Sequence, residues 1–129
     1  MEYGAGKAGL SSFIAVQAEK GSSFILVERE ARRNKKDKEI RAIGHEIRRE
    51  MMDIKDFDLS YFNDKKKIIG VAKHLCGGAT DLALCSFRTI GDHMKGLAIA
   101  TCCHHCCDTK TYVNMAFMNE ELNIKPEEF

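Results

Sequence analysis

Short apolar runs alternate along the chain with longer segments in which apolar residues recur every three or four positions. The runs predict β-strands, and the longer segments predict α-helices that bury one face. The predicted strands are residues 1–3, 23–28, 51–54, 67–73 and 97–102. The predicted helices are residues 7–20, 30–50, 80–90 and 108–122. This alternation is typical of an α/β fold with a doubly wound, mostly parallel sheet, which binds ligands at the carboxyl ends of its strands.

The second predicted helix depends on the spacing of three isoleucines. Ile40, Ile43 and Ile47 lie three and four residues apart, so they would share one face of a helix. Much of this segment is charged, because residues 29–49 carry nine Lys or Arg against four Asp or Glu. Such a stretch suits the phosphates of a polyanion such as RNA, and it equally suits a solvated helix face.

The composition indicates one globular domain. The chain has 129 residues, of which 44% are hydrophobic and 30% charged. Its longest apolar runs, near residues 68–72 and 97–103, are far shorter than a membrane span. Four of the six cysteines crowd into residues 102–107, unlike the spread disulfides of a secreted scaffold. We therefore expect a reduced, intracellular protein of the nucleus or cytoplasm that does not contact a membrane.

Three glycines follow the first predicted strand. Gly4, Gly6 and Gly9 form a Gly-x-Gly-x-x-Gly string, and Glu28 ends the second predicted strand 19 residues after Gly9. The glycines allow the backbone to turn sharply and approach a ligand, while a carboxylate at this spacing can accept hydrogen bonds from ribose hydroxyls. The pairing predicts an adenosine-type cofactor. A plain tight turn before a helix, or an NAD(P)-dependent reductase, would share the same string.

Several short strings, taken together, resemble one family. Residues 2–7 read EYGAGK, residues 27–29 read VER and residues 53–54 read DI. Further along the chain are KHLCG at 73–77, ATDLAL at 79–84 and CCHH at 102–105. In this order they closely resemble the eukaryotic tRNA 2′-O-methyltransferase family that acts on nucleotide four of the acceptor stem. The resemblance spans about residues 2–118.

The resemblance implies a Rossmann-like class I methyltransferase that uses S-adenosylmethionine to methylate a ribose 2′-hydroxyl of tRNA. Residues 1–129 would form a single domain of this kind, truncated at both ends because the family continues the sheet. The cofactor-binding residues that it implies are Glu2, Gly4, Gly6, Gly9, Glu28, Asp53 and Ile54. Glu28 would contact the ribose, and Asp53 would lie near the adenine amino group. A non-catalytic RNA-binding fragment is the alternative, and no protein partner is predicted.

Two groups of residues are candidates for the methyl-transfer chemistry. A ribose hydroxyl ionises far above neutral pH, so a base, or a cation beside the developing alkoxide, lowers the barrier. Lys73 and His74, at the end of the fourth predicted strand, are the first choice. A lysine suits charge stabilisation and a histidine suits proton abstraction. His104 and His105 are the competing bases, with Asp108 available to orient an imidazole.

The cysteines raise the question of a metal site. Cys103 and Cys106, with two histidines between them, offer soft ligands. Four adjacent residues cannot easily converge on a tetrahedral ion, however, unless Cys76 joins from the neighbouring strand. We therefore expect no metal and favour buried thiols that line a substrate pocket. In this interpretation Cys76, Cys85, Cys102 and Cys103 lie mainly in the core.

Overall fold

The computed structural model describes residues 1–30, 35–62 and 67–129. In this part of the chain, five strands form one parallel sheet in the order β3-β2-β1-β4-β5. The strands are β1 (Glu2–Tyr3), β2 (Ser23–Val27), β3 (Glu46–Glu50), β4 (Ile68–Cys76) and β5 (Met94–Cys102). The α-helices are α1 (Gly9–Gln17), α2 (Lys35–Ala42), α3 (Ala79–Arg88) and α4 (Met115–Glu120). The predicted α/β fold with a doubly wound, parallel sheet is confirmed.

The order of the strands reverses at β1. From β1 the chain builds β2 and β3 outward on one side, and it then returns to place β4 and β5 on the other side. In parallel sheets a crevice opens at such a point, outside the carboxyl ends of the two central strands. The fold therefore predicts a ligand site beside the turn that follows β1.

The alternating side chains of β2 show that helices cover both of its faces. Phe24 is buried together with Ala15 of α1 and Ile40 of α2. Val27, which points to the other side of the sheet, belongs to a larger cluster that includes Phe87 of α3. Because residues an odd number apart in a strand point to opposite faces, α3 lies on the face opposite α1 and α2.

Tyr3 lies at the centre of the cluster on the α3 face. Its ring is fully buried, and its centroid lies 6.1 Å from that of Phe57 and 4.8 Å from that of Phe87. Its hydroxyl shares a 2.5 Å hydrogen bond with the hydroxyl of Ser86. Burial raises the pKa of Tyr3 to about 12, so the phenol stays protonated. These contacts fix β1 immediately before the glycine loop.

The helix predicted over residues 30–50 is too long, and the strand predicted at 51–54 does not form. Helix α2 ends at Ala42, and the chain then forms β3, which pairs with all five residues of β2. Gly44 separates the two elements with a φ of +96°. A left-handed residue just beyond the last turn ends a helix, and glycine adopts that conformation without steric cost. Ile43 is exposed, so the three isoleucines do not share one buried face.

The other predicted boundaries differ for local reasons. Strand β4 runs to Cys76 and β5 begins at Met94, so both strands are longer than predicted. Helix α4 covers only six residues of the predicted 108–122, because the side chain of Asn114 accepts a hydrogen bond from the Phe117 amide and starts the helix there. Among the described helices, none has the length and apolar character needed to cross a membrane.

Candidate functional site

A cleft of about 500 Å³ lies at the carboxyl ends of the strands, where the strand order reverses. Each strand contributes to its lining: Gly4 follows β1, Glu28 follows β2, Asp53 follows β3, His74 lies near the end of β4, and Asp108 follows β5. These residues are far apart in the sequence, so the fold is what brings them together. The volume lies within the usual range for small-molecule sites.

The loop between β1 and α1 forms one wall of the cleft. Gly4 and Gly6 have left-handed backbones, with φ of +62° and +49°, a conformation that favours glycine. A Cβ at Gly4 would lie 3.3 Å from Cδ1 of Leu75, so the loop passes close to the end of β4. Gly9 is the first residue of α1, and a Cβ there would meet no atom within 4 Å. Of the three glycines, Gly4 lines the cleft.

Glu28 connects the end of β2 to the glycine loop. Its Oε2 accepts a hydrogen bond of 2.8 Å from the amide of Gly6, and its Oε1 accepts one of 3.0 Å from the amide of Glu30. The side chain is half-buried and lines the cleft. Each carboxylate oxygen has two lone pairs, so both oxygens can accept a further hydrogen bond from a ligand.

Glu2 lies outside the lining of the cleft and fastens α1 to β1. The residue is buried, and its Oε2 accepts hydrogen bonds of 3.0 Å from the Ser11 amide and 2.5 Å from the Ser11 hydroxyl. Burial raises the pKa of Glu2, and the two bonds from Ser11 oppose part of that rise. The structure therefore places this acid beneath the first turn of α1, where it fixes the helix that follows the loop.

Arg49 of β3 joins the glycine loop to α2. Its Nε and Nη2 each donate a 2.8 Å hydrogen bond to the carboxylate of Asp37, and its Nη1 donates a 3.0 Å bond to the carbonyl of Gly6. Asp37 is almost fully buried, and its hydrogen bonds raise the pKa of Arg49. The sequence offers no reason to pair these two residues, because Arg49 falls within the helix predicted over residues 30–50.

Asp53 and Ile54 lie on the neighbouring part of the rim. Both are half-buried and line the cleft together with Met52. The Oδ1 of Asp53 accepts a 3.1 Å hydrogen bond from the Lys55 amide and caps a short 3-10 helix at Ile54–Asp56. The second carboxylate oxygen is available for a ligand donor.

The two predicted catalytic residues of β4 have different positions. The pairing of β4 with β5 shifts register between Lys73 and Leu75, and His74 in this bulge has a φ of +61°. Bulges commonly redirect a side chain beside an active site. His74 lines the cleft, whereas Lys73 is exposed beside Ala100 of β5 and lies outside the lining.

The segment that follows β5 brings Asp108, but neither predicted histidine, into the lining. His104 and His105 are exposed in a 3-10 helix at His104–Cys106. The Oδ1 of Asp108 accepts hydrogen bonds from Thr111, of 2.8 Å from the hydroxyl and 2.9 Å from the amide. These bonds lower the pKa of Asp108. Because the carboxylate holds Thr111 in a turn, it does not orient an imidazole.

Two glycines at the end of β4 allow this segment to approach. A Cβ at Gly77 would lie 2.5 Å from the carbonyl oxygen of Cys106, and one at Gly78 would lie 2.1 Å from Oγ1 of Thr111. Both distances are too short for any side chain. Gly77 was noted only as part of a string and Gly78 was missed, because a close backbone approach leaves no spacing pattern in the sequence.

The prediction that the cysteines lie in the core is wrong. Cys76, Cys85, Cys103 and Cys106 are exposed, and Cys102 is half-buried. Strands β4 and β5 end at Cys76 and Cys102, which leaves these two thiols at the rim of the sheet. Cys76 does join from the neighbouring strand, but its partners are Cys102 and Cys103 and do not include Cys106.

A larger depression of about 960 Å³ lies at the opposite end of the sheet. It is lined by residues near the amino ends of β2, β3 and β4 and by Ile14 and Ala18 from the α1 side. None of the predicted site residues lines it. We therefore place the site in the smaller cleft, where the polar groups converge.

One residue of the basic stretch, Arg29, lines the cleft, and the same stretch supplies the first turn of α2. Lys35 and Lys36 open this helix, and the Nζ of Lys36 lies 2.6 Å from a carboxylate oxygen of Glu39. Arg33, in the same basic stretch, lies outside the described residues. Because Asp37 points inward to Arg49, the outer surface of this turn is more basic than the sequence alone indicates.

Comparisons with known proteins show which family shares this sequence. The family model for methyltransferase TRM13 matches residues 1–129. A Dictyostelium discoideum protein named tRNA:m(4)X modification enzyme TRM13 homolog is 37% identical over 143 residues, covering 100% of this chain and 27% of that protein. The tRNA:m(4)X modification enzyme TRM13 of Schizosaccharomyces pombe is 34% identical over 144 residues, covering 99% of this chain and 38% of that protein.

A human protein named tRNA:m(4)X modification enzyme TRM13 homolog is 29% identical over 164 residues, covering 91% of the chain and 34% of that protein. No solved structure matches the chain. The chain thus spans between 27% and 38% of the length of these relatives.

Proposed function

Because this chain belongs to the TRM13 methyltransferase family, we propose that it binds S-adenosylmethionine in the cleft and contributes to methylation of a ribose 2′-hydroxyl of tRNA. The names of the relatives describe tRNA modification. Since the chain spans only part of their length, we assign to residues 1–129 the role of a single cofactor-binding domain within that activity. The same proposal includes an intracellular location, in the nucleus or cytoplasm.

The arrangement of Glu28 is the observation that carries this proposal. Its carboxylate holds the amide of Gly6 and lines the cleft at the same time, so the acid and the glycine loop form one wall. Both oxygens retain acceptor capacity, which suits the two hydroxyls of a ribose. Asp53, the next acid on the rim, offers an acceptor for an exocyclic amine.

The chemistry of the cleft fits an adenosine-type cofactor. Gly4 lies so close to Leu75 that the wall has little room for a side chain, which leaves backbone facing the ligand. When bound, S-adenosylmethionine supplies the methyl group from its sulfonium. The chain's contribution is to align the ribose oxygen with that methyl group, since such displacements are accelerated mainly by positioning.

We place the general base at His74. It lines the cleft near the end of β4, and an imidazole can accept the hydroxyl proton as the oxygen attacks. Lys73, His104 and His105 lie outside the lining, so we assign them to contacts with the phosphates of the substrate. Asp108 lines the cleft, but its carboxylate holds Thr111, and we assign it a role in shaping the wall.

Calorimetry with Glu28→Gln tests the cofactor assignment. Glutamine keeps one oxygen that can accept the Gly6 amide, but it loses the charge and the second acceptor that the ribose requires. We expect wild-type protein to bind S-adenosylhomocysteine, and Glu28→Gln to bind it about 1–3 kcal/mol more weakly, the range for hydrogen bonds to a charged group. Glu19→Gln, an exposed acid near the end of α1, is the matched control and should bind normally.

Three other results would contradict the proposal. Equal affinity of Glu28→Gln and wild type would remove Glu28 from the ribose site. Binding of NAD in place of S-adenosylhomocysteine would indicate a reductase. Binding of neither ligand by a folded wild-type chain would leave a non-catalytic RNA-binding role.

A further inference from the structure

Three thiols converge at the rim of the sheet. Cys76 and Cys102 are the last residues of β4 and β5 and are paired in register, and Cys103 follows directly. The sulfur atoms of all three lie within 4.8 Å of one another, and those of Cys76 and Cys102 are 2.8 Å apart. Among the described residues, these three form the group whose geometry suits a metal ion.

The backbone around this thiol cluster is in an uncommon conformation. Successive residues of a strand point to opposite faces, so an extended Cys103 would point away from Cys102. Cys103 instead has a φ of +48°, which ends the strand and brings its sulfur atom to the other two. On the β4 side, His74 has a φ of +61° and forms a bulge that shifts the pairing of β4 with β5 by one residue. This shift places Cys76 opposite Cys102. Non-glycine residues with such backbones cost free energy and concentrate at functional sites.

We propose that Cys76, Cys102 and Cys103 bind a thiophilic divalent cation such as Zn²⁺ through three thiolates. Zinc–sulfur bonds of about 2.3 Å in a tetrahedral site separate sulfur atoms by about 3.8 Å, within the span of this cluster. Binding requires the sulfur atoms of Cys76 and Cys102 to move about 1 Å apart, a small adjustment for side chains at the ends of two strands. The fourth position is open to an outside ligand.

The protonation of the cluster sets the conditions for binding. A bound cation must displace thiol protons, and its affinity should therefore rise with pH.

The bound ion would join the ends of β4 and β5 beside the cleft. Cys76 lines the cleft, and Cys103 begins the segment whose Cys106 carbonyl packs against Gly77. A metal here would fix that segment relative to the cofactor site. A disulfide between Cys76 and Cys102 is the competing use of these residues, but it would leave Cys103 without a partner and give no reason for its backbone conformation.

Titration of the reduced, metal-free chain with Co²⁺ tests the proposal. We expect one Co²⁺ per chain, with the near-ultraviolet thiolate charge-transfer band and visible bands of tetrahedral cobalt, displaced by Zn²⁺. Cys102→Ser and Cys103→Ser should each lower the affinity more than about 100-fold, since losing even an indirect partner of a ligand commonly costs 10- to 100-fold. Cys85→Ser, an exposed cysteine of α3, is the matched control and should bind as wild type does.

Three results would overturn the inference. The first is the absence of a charge-transfer band in wild type. The second is a Co²⁺ affinity of Cys102→Ser and Cys103→Ser equal to that of wild type. The third is a Cys76–Cys102 disulfide that forms readily in the isolated chain and prevents binding. Thermal melting of each variant shows that it is folded. Zn²⁺ should also raise the melting temperature of wild type and not that of Cys103→Ser, because a ligand stabilises only the state that binds it.

Discussion

Arg49 connects the edge strand β3 to the glycine loop. Its guanidinium contacts Asp37 with two hydrogen bonds and reaches the carbonyl of Gly6, 43 residues away in sequence. Gly6 is therefore held on both sides, with its amide bonded to Glu28 and its carbonyl to Arg49. Paired, charge-assisted bonds of this kind are stronger and more directional than single neutral ones.

Arg49→Lys should weaken cofactor binding in a chain that still folds. Lysine keeps the charge near Asp37, but its single ammonium cannot form the planar fork and also reach Gly6. Without the bond to Gly6 the loop is held less firmly, so we expect a lower S-adenosylhomocysteine affinity, measured by calorimetry, with a loss smaller than the roughly 1.5–3 kcal/mol that a hydrogen bond to a charged group contributes. Arg48→Lys, an exposed neighbour on the same strand, should retain wild-type affinity. Equal effects of the two substitutions would show that the bond to Gly6 does not shape the site.

At the residue scale, only some of the site was accessible from the sequence. Glu28 could be placed at the rim because it ends an apolar run that reads as a strand. Asp53 was implied by the family resemblance, since the strand predicted around it does not form. Arg49 could not be predicted, since its importance depends on a contact with a distant glycine. The different positions of Lys73 and His74 were also hidden, because the bulge between them results from pairing with β5.

At the scale of elements, β3 shows why the pattern of apolar residues failed. It is an edge strand with charged residues at four of its five positions, and edge strands commonly carry charges that prevent further pairing. Ile47 is its single apolar residue, so the strand carries no alternation that could be recognised. Central strands such as β2 and β4 bury more apolar residues, and both were predicted close to their observed positions.

The packing of β4 against α3 depends on Gly70. A Cβ at this position would lie 2.4 Å from the ring of Phe87 and 2.9 Å from Cδ1 of Leu97. Gly70→Ala should therefore lower the free energy of unfolding by about 1–3 kcal/mol, the usual cost of overpacking a core, as measured by urea denaturation. Gly96→Ala on β5 is the control, because a Cβ there meets no atom within 4 Å. Equal stability of Gly70→Ala and Gly96→Ala would contradict this prediction, because it would mean that the Phe87 ring can move aside at no cost in free energy.

At the scale of the whole molecule, the basic start of α2 and the cleft lie on the same side of the sheet. The chain has a net charge of +1, but its charges are separated, with nine Lys or Arg in residues 29–49 and four Glu in residues 119–129. In a parallel sheet each helix begins near the carboxyl ends of the strands, so the basic first turn of α2 lies on the side of the cleft. A polyanionic substrate bound there would have its reacting group near the cofactor.

This arrangement predicts that RNA binding depends on which lysines are removed. Lys35→Ala/Lys38→Ala should weaken tRNA binding and reduce the slope of log affinity against log salt by about 0.7–0.9 for each phosphate that is no longer neutralised, because fewer counterions are released. Lys20→Ala/Lys67→Ala is the matched control, since it removes the same charge from exposed positions at the amino ends of the strands. Fluorescence anisotropy with labelled tRNA between about 50 and 200 mM salt measures both quantities. Equal losses of affinity in the two double variants would mean that RNA responds to the net charge of the chain, and the start of α2 would then have no specific role in substrate binding.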